Sequence, residues 1–198
     1  MGCDIHAFIE KYNNESKRWE SMSLYKKNQD DSFECITVYN GRNYELFGLL
    51  AGVRGSSHFF TGGYGYIVEP RGLPDNLSSY VQFKWEEGKD EDGDVNWHTP
   101  TWYDFCELDT YTYLLNDFNN EMNRKNKYIE ELEKKISILE GEEEDDSWTD
   151  DLFNECKDDY NGINALAGFV SCIKDVLDTY GIYNPKSGEI RIVMWFDN

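Results

Sequence analysis

Two carboxylates and two imidazoles carry the first candidate chemistry: Asp4 and His6 near one end, His98 in the middle, Asp197 near the other end. The chain has only three histidines, so only a small metal site is open to this set. Carboxylate oxygen and imidazole nitrogen are ligands that a divalent metal takes at an open site, with a position left for water. Side chains two apart in an extended chain point the same way, so Asp4 and His6 share a face if their segment is a strand. The competing structural role is a tie from Asp4 and His6 to Arg191 or to backbone on a sheet face.

A second set is cationic and aromatic: Arg42, Arg54 and Arg71 with Tyr44, Tyr64 and Tyr66. Guanidinium forks match phosphate oxygens, and a base stacked on an aromatic face gains about 1 to 3 kcal/mol. This set reads as a site for a small anionic, nucleotide-like ligand. Surface arginines over core tyrosines would give the same pattern without a ligand.

Other chemistries find little footing. The segment Gly55 to Leu73 is rich in glycine and aromatics, but no Lys-Ser or Lys-Thr follows a glycine as in a phosphate-binding loop, and Gly62-Gly63-Tyr64-Gly65 misses the dinucleotide spacing. Cys3 falls on an apolar strand face, and Ser56, Ser57, Ser78 and Ser79 lack the context of an activated nucleophile. Asp4-x-His6 resembles the opening motif of metallophosphoesterases, whose later Gly-Asn-His-Asp element is absent here, and three histidines are too few for that class.

The elements that must position these residues follow from periodicity. Cys3 to Tyr12 alternates apolar and polar, and so does Arg18 to Leu24 beyond the turn-forming Asn13 to Lys17, which predicts a hairpin. Cys3, Ile5, Ala7 and Ile9 take one face; Asp4, His6, Phe8 and Glu10 take the other. Lys26 to Ser32 reads as loop and Phe33 to Tyr39 as a short strand. Tyr44, Phe47, Leu50 and Ala51 recur at helical spacing in Asn43 to Val53, with Gly52 and Gly55 to end the helix. Thr101 with Asp104 resembles a capping box and predicts a helix from Trp102.

That helix runs on through Leu115, Phe118, Met122, Lys125, Ile129, Leu132, Ile136 and Leu139, a heptad seam with one lysine, to Gly141. Leu152, Phe153, Cys156 and Tyr160 continue at helical spacing, which makes 119–160 an antiparallel helical arm or a dimerisation seam. Ile163 to Leu177 forms a core helix. Ile190, Ile192, Met194 and Phe196 share one face of a last strand after a hairpin connection, with Arg191, Val193, Trp195 and Asp197 on the other. The predicted class is α+β: a mostly antiparallel sheet from N- and C-terminal hairpins with packed helices, one domain of 1–118 and 161–198 with the arm inserted.

The chain has 198 residues and a net charge of −20, distributed unevenly. Residues 1–82 hold 8 bases and 10 acids; residues 83–198 hold 11 and 29. Six acids lie in 86–94 and eight in 140–151, runs that read as solvated loops. A field of this sign repels nucleic acid, and no apolar run is long enough to span a membrane. Five widely spaced cysteines with no CxxC pair point to free thiols in a reducing compartment, so a cytoplasmic location is expected.

Several segments taken together resemble one family: Met1-Gly2-Cys3-Asp4-Ile5-His6, Arg42 to Arg54, Arg71-Gly72-Leu73-Pro74, His98 before Trp102, and Trp195-Phe196-Asp197-Asn198. The chain is similar in these to a family of small, uncharacterised bacteriophage and prophage proteins. That resemblance implies a phage accessory protein in the host cytosol. The leading expectation is sequestration of a nucleotide-derived host immune signal, with no cofactor, at Arg42, Tyr44, Arg54, Tyr64, Tyr66 and Arg71. A metal-dependent phosphoesterase at Asp4, His6, His98 and Asp197 is the alternative, and an acidic DNA mimic or interaction inhibitor a further one. A homo-oligomer through the 115–139 helix is expected beside these.

Overall fold

The computed structural model describes residues 2–22, 24–27, 33–36, 38–39, 41–54, 66–90, 92, 95–140 and 149–197, with backbone alone for 24–27, 33–36, 133, 136–140 and 149–161. At its centre is a four-stranded antiparallel sheet built from both ends of the chain. The strands are β1 (Ile5–Asn13), β2 (Arg18–Met22), β5 (His98–Asp104) and β6 (Ile190–Phe196), in the order β2-β1-β6-β5. A separate pair, β3 (Leu24–Lys27) and β4 (Phe33–Ile36), is also antiparallel, so strand occupies part of the stretch read as loop. The helices are α1 (Tyr44–Ala51), α2 (Ser79–Glu86), α3 (Phe105–Glu140) and α4 (Thr149–Thr179).

The alternation in β1 and β6 decides what each sheet face does. Cys3, Ile5, Ala7, Ile9, Ile190, Ile192, Met194 and Phe196 are buried on the inner face with Leu46, Phe47 and Leu50 of α1 and Leu166, Phe169 and Ile173 of α4. On the outer face, Val193 and Trp195 pack with Val81 of α2 and with Phe8, Tyr80, Trp85, Trp97 and Trp102. Helices therefore cover both sides.

The outer face also holds a buried ion pair. Glu10 and Arg191 stand opposite one another in the β1–β6 register, and Arg191 Nε donates to Glu10 Oε2 at 2.6 Å. Arg191 also donates to the Asn76 side chain and carbonyl, while Glu10 Oε1 accepts from the Ser78 backbone N–H at 2.6 Å. Ser78 caps α2, so one saturated network fixes the loop and helix over the sheet. Arg191 is thus the partner of Glu10, not of Asp4 or His6.

Three local expectations are corrected. Thr101 does not cap a helix: Thr101 to Asp104 belong to β5, and α3 begins at Phe105, where Asp104 Oδ1 accepts from Cys106 N at 2.9 Å. Thr101 Oγ1 instead accepts from Arg71 N. Pro100 is tolerated because β5 is an edge strand with a register irregularity between His98 and Thr101. The C-terminal contribution to the sheet is the single strand β6, because 180–189 forms helix-ending and tight turns with Gly181 and Gly188 at positive φ. Finally, the 152–160 stripe and the core helix after it are one continuous α4.

Among the described residues no helix is long and apolar enough to cross a membrane. Cys3, Cys106 and Cys172 are free thiols. Glu86 ends α2 and pairs with Lys89; most of the second acidic run lies outside the described residues.

Candidate functional site

Antiparallel pairing of β1 with β6, Ile5 opposite Phe196, brings the two ends of the chain together at one end of the sheet. Asp197 is the hub there. Its Oδ1 accepts from the Asp4 backbone N–H at 2.7 Å, and its Oδ2 accepts from His6 Nε2 at 3.2 Å. His98 arrives from β5, opposite Phe196, and its Nε2 donates to the Asp197 carbonyl at 3.3 Å while Nδ1 lies 3.0 Å from the Thr99 hydroxyl. All four residues of the first set therefore meet.

They do not form a metal cluster. Among the described residues, no group of three or more His, Cys, Asp or Glu could hold a metal ion. The donor atoms are already engaged: His98 Nε2 faces a backbone carbonyl, and a guanidinium covers both Asp4 oxygens.

That guanidinium is Arg42, from the second set. Its Nε bonds Asp4 Oδ1 and its Nη2 bonds Oδ2 at 2.7 Å, a bidentate fork whose hydrogen bonds hold the Asp4 carboxyl below the usual carboxylate range. Gly2 permits the approach, since a Cβ there would meet Arg42 Nη1 at 2.6 Å.

Helix α1 places the remaining groups. Asn43 caps it by accepting from Leu46 N at 3.0 Å, and Gly52 closes it in the left-handed conformation at φ 68°. Arg42 and Arg54 consequently flank the two ends of an eight-residue helix. Tyr44, in the first turn, is 37% exposed, and its hydroxyl accepts from Cys3 N at 3.4 Å. Arg54 Cζ lies over the Tyr44 ring at 5.9 Å from the centroid, and Arg54 itself holds a positive φ of 54°. Burial pushes the Cys3 thiol up, with the nearby Arg54 guanidinium pulling it the other way. Arg42, Tyr44 and Arg54 are thus gathered beside the Asp4–His6–Asp197 network.

The rest of the second set divides. Tyr66 packs against the end of α1, where a Cβ on Gly52 would meet its ring at 3.0 Å. Arg71 is held elsewhere: it forks onto Glu107 at 2.7 and 2.5 Å and lies across Trp102 and Tyr103 at 5.0 and 5.7 Å. Tyr64 lies outside the described residues.

One aromatic escaped the sequence reading. Trp97 sits 4.6 Å from the His6 ring, centroid to centroid, and its indole N–H donates to the Trp85 carbonyl at 3.1 Å. Trp195 stacks under His6 at 6.3 Å and on Phe8 at 4.7 Å. Trp195 is legible in the alternation of β6, whereas Trp97 belongs to no periodic segment.

The comparisons with known proteins add no relative: no family model, no curated protein and no solved structure matches the chain. What the site can do rests on its chemistry. It gathers two guanidinium groups, one forked onto Asp4 and one over Tyr44, with an exposed tyrosine ring and an imidazole held by a carboxylate against tryptophan.

Proposed function

We propose that this chain binds and sequesters a small anionic, nucleotide-like ligand at the sheet end where Arg42, Tyr44 and Arg54 gather. The observation that carries the reading is the juxtaposition of two arginines across α1 with an exposed tyrosine between them. Asp4 engages one edge of Arg42 and fixes its plane, leaving the Nη1 side outside that fork. A pre-oriented guanidinium loses less freedom on meeting phosphate than a free one does. Tyr44 and the His6–Trp97 pair supply faces for a base.

The resemblance to a phage family implies a protein of the host cytosol, and a nucleotide-derived immune signal as ligand with counter-defence as role is the reading that we draw from it. The acidic second half makes a nucleic-acid partner a poor fit. Among the described residues, the metal-dependent phosphoesterase reading finds no ligand cluster to work with.

Calorimetric titration of the protein with cyclic dinucleotides and cyclic ADP-ribose isomers, with and without EDTA, tests the proposal. Saturable binding that EDTA leaves unchanged supports it. Absence of binding across the panel, or binding that needs a metal, contradicts it.

A further inference from the structure

Helix α3 carries two stripes. Phe105, Leu108 and Thr112 are buried, and the half-buried Leu115, Asn116, Asn119, Met122 and Asn126 continue that side along the helix. Lys174 of α4 bridges Asp109 at 2.7 Å at its margin. At about 100° per residue, the second stripe lies more than a third of a turn away. It consists of Leu114, Phe118, Tyr128 and Leu132, between 39% and 62% exposed, with Ile129 beside them. So much exposed apolar surface on one helix face calls for a partner.

The order of side chains along this stripe reads the same from both ends. Reflected about Asn123, Leu114 falls on Leu132, Phe118 on Tyr128, and Glu121 on Lys125. We infer that the stripe is the seam of an antiparallel homodimer whose two-fold axis crosses the helix at the level of Asn123, on the opposite face from it, between Glu121 and Lys125. A two-fold interface must be complementary to itself, and this arrangement sets leucine on leucine, ring on ring and acid on base. The outer leucines stand about 27 Å apart along the helix, from its rise per residue.

Charge fixes the orientation. Phe105 to Glu121 contains four acids and no base, whereas Met122 to Lys135 contains five bases and three acids. An antiparallel partner lays the basic half along the acidic half; a parallel one sets like against like. Glu121 and Lys125 already pair within the helix at 2.8 Å. The two-fold axis turns two such pairs into a ring of four alternating charges, which accounts for a lysine in an apolar seam. The seam shares no residue with the Arg42–Arg54 site, so the inference stands or falls apart from the ligand reading.

Sedimentation velocity on the full chain at micromolar concentration tests it. The unmodified protein sediments as a dimer. Lys125→Glu or Glu121→Lys alone places like charges round the axis and weakens association by about tenfold or more. Equal amounts of the two variants dimerise again, because each supplies the charge that the other lacks. Leu114→Glu with Leu132→Glu, on exposed positions and with helicity checked by circular dichroism, yields monomer. A monomeric unmodified protein, a dimer indifferent to these substitutions, or a mixture that stays monomeric would overturn the inference.

Discussion

Arg42 takes both carboxylate oxygens of Asp4 in one bidentate fork, joining residues 38 positions apart that the sequence assigns to different chemistries. The acid–imidazole set and the Arg42–Tyr44–Arg54 part of the arginine–tyrosine set therefore meet in one place. Asp4 acts there as the group that orients an arginine, and Asp197 as the group that orients His6. The Asp4 carboxylate that a metal would need is already paired with a guanidinium.

Arg54→Ala and Arg71→Ala separate the two halves of the arginine set. Arg54 stands over Tyr44, whereas Arg71 is forked onto Glu107. Arg54→Ala is expected to weaken ligand binding by about tenfold or more, the scale of a lost charge-assisted hydrogen bond. Arg71→Ala leaves it within about twofold. Titration calorimetry on both variants reads the difference, and the reverse order would move the site to the β5 edge.

The Asp4 carboxyl is held below its ordinary value, chiefly by the hydrogen bonds from Arg42. A depressed folded value means that the fork is fully in place above the unfolded value, about 3.9. It is lost only as pH falls through the lower, folded value. Both side chains are about half exposed, at 58% and 46%, so the effect on stability is small. Carbon-detected NMR should find Asp4 titrating below other exposed aspartates, and Arg42→Ala should return it to the usual range. An Asp4 unaffected by loss of Arg42 would contradict the fork.

Breaking the Glu10–Arg191 pair should be costly. Both side chains are buried, 0% and 5% exposed, and beyond the bond between them their hydrogen bonds tie the two strands to the loop that begins α2. Glu10→Gln or Arg191→Met strands a buried charge or its acceptors and is expected to cost about 3 to 5 kcal/mol in urea unfolding. A loss under about 1 kcal/mol would place the pair among surface salt bridges.

Gly88 and Gly168 make a contrasting pair. A Cβ at Gly88 would fall on the Trp97 indole, while one at Gly168 meets nothing within 4 Å. Gly88→Ala should destabilise by about 1 to 3 kcal/mol and shift the His6 ring signals through displacement of Trp97. Gly168→Ala, inside α4, should stabilise by about 0.5 to 1 kcal/mol. Thermal unfolding and proton NMR of both variants check this; unmoved His6 signals in Gly88→Ala would detach Trp97 from the site.

The hairpin of β1 and β2 was legible from its alternation and turn residues, β6 from a short apolar run that is buried on both faces, and α1 from its capping residues. Strand β5 was not. Its Thr101 and Asp104 mimic a helix start, and only its place at the sheet edge, beside β6, shows why Pro100 and Thr101 are extended. Helix α2 buries Val81 alone within its span, too little for a periodic signal. Asp4, His6, His98 and Asp197 could be named as a set, because their residue types are rare or paired. Their meeting depends on the β1–β6–β5 register, which no local pattern encodes. That Arg42 would occupy Asp4 was beyond reach for the same reason.

The most direct test of the ligand proposal is to mix the purified protein with a panel of cyclic dinucleotides and cyclic ADP-ribose isomers. The free pool is then chromatographed before and after heat denaturation of the protein. The account predicts that one molecule disappears from the pool and returns intact on heating, with retention lost in Arg54→Ala. A pool that never changes, or a ligand that returns linearised or shortened, would contradict it.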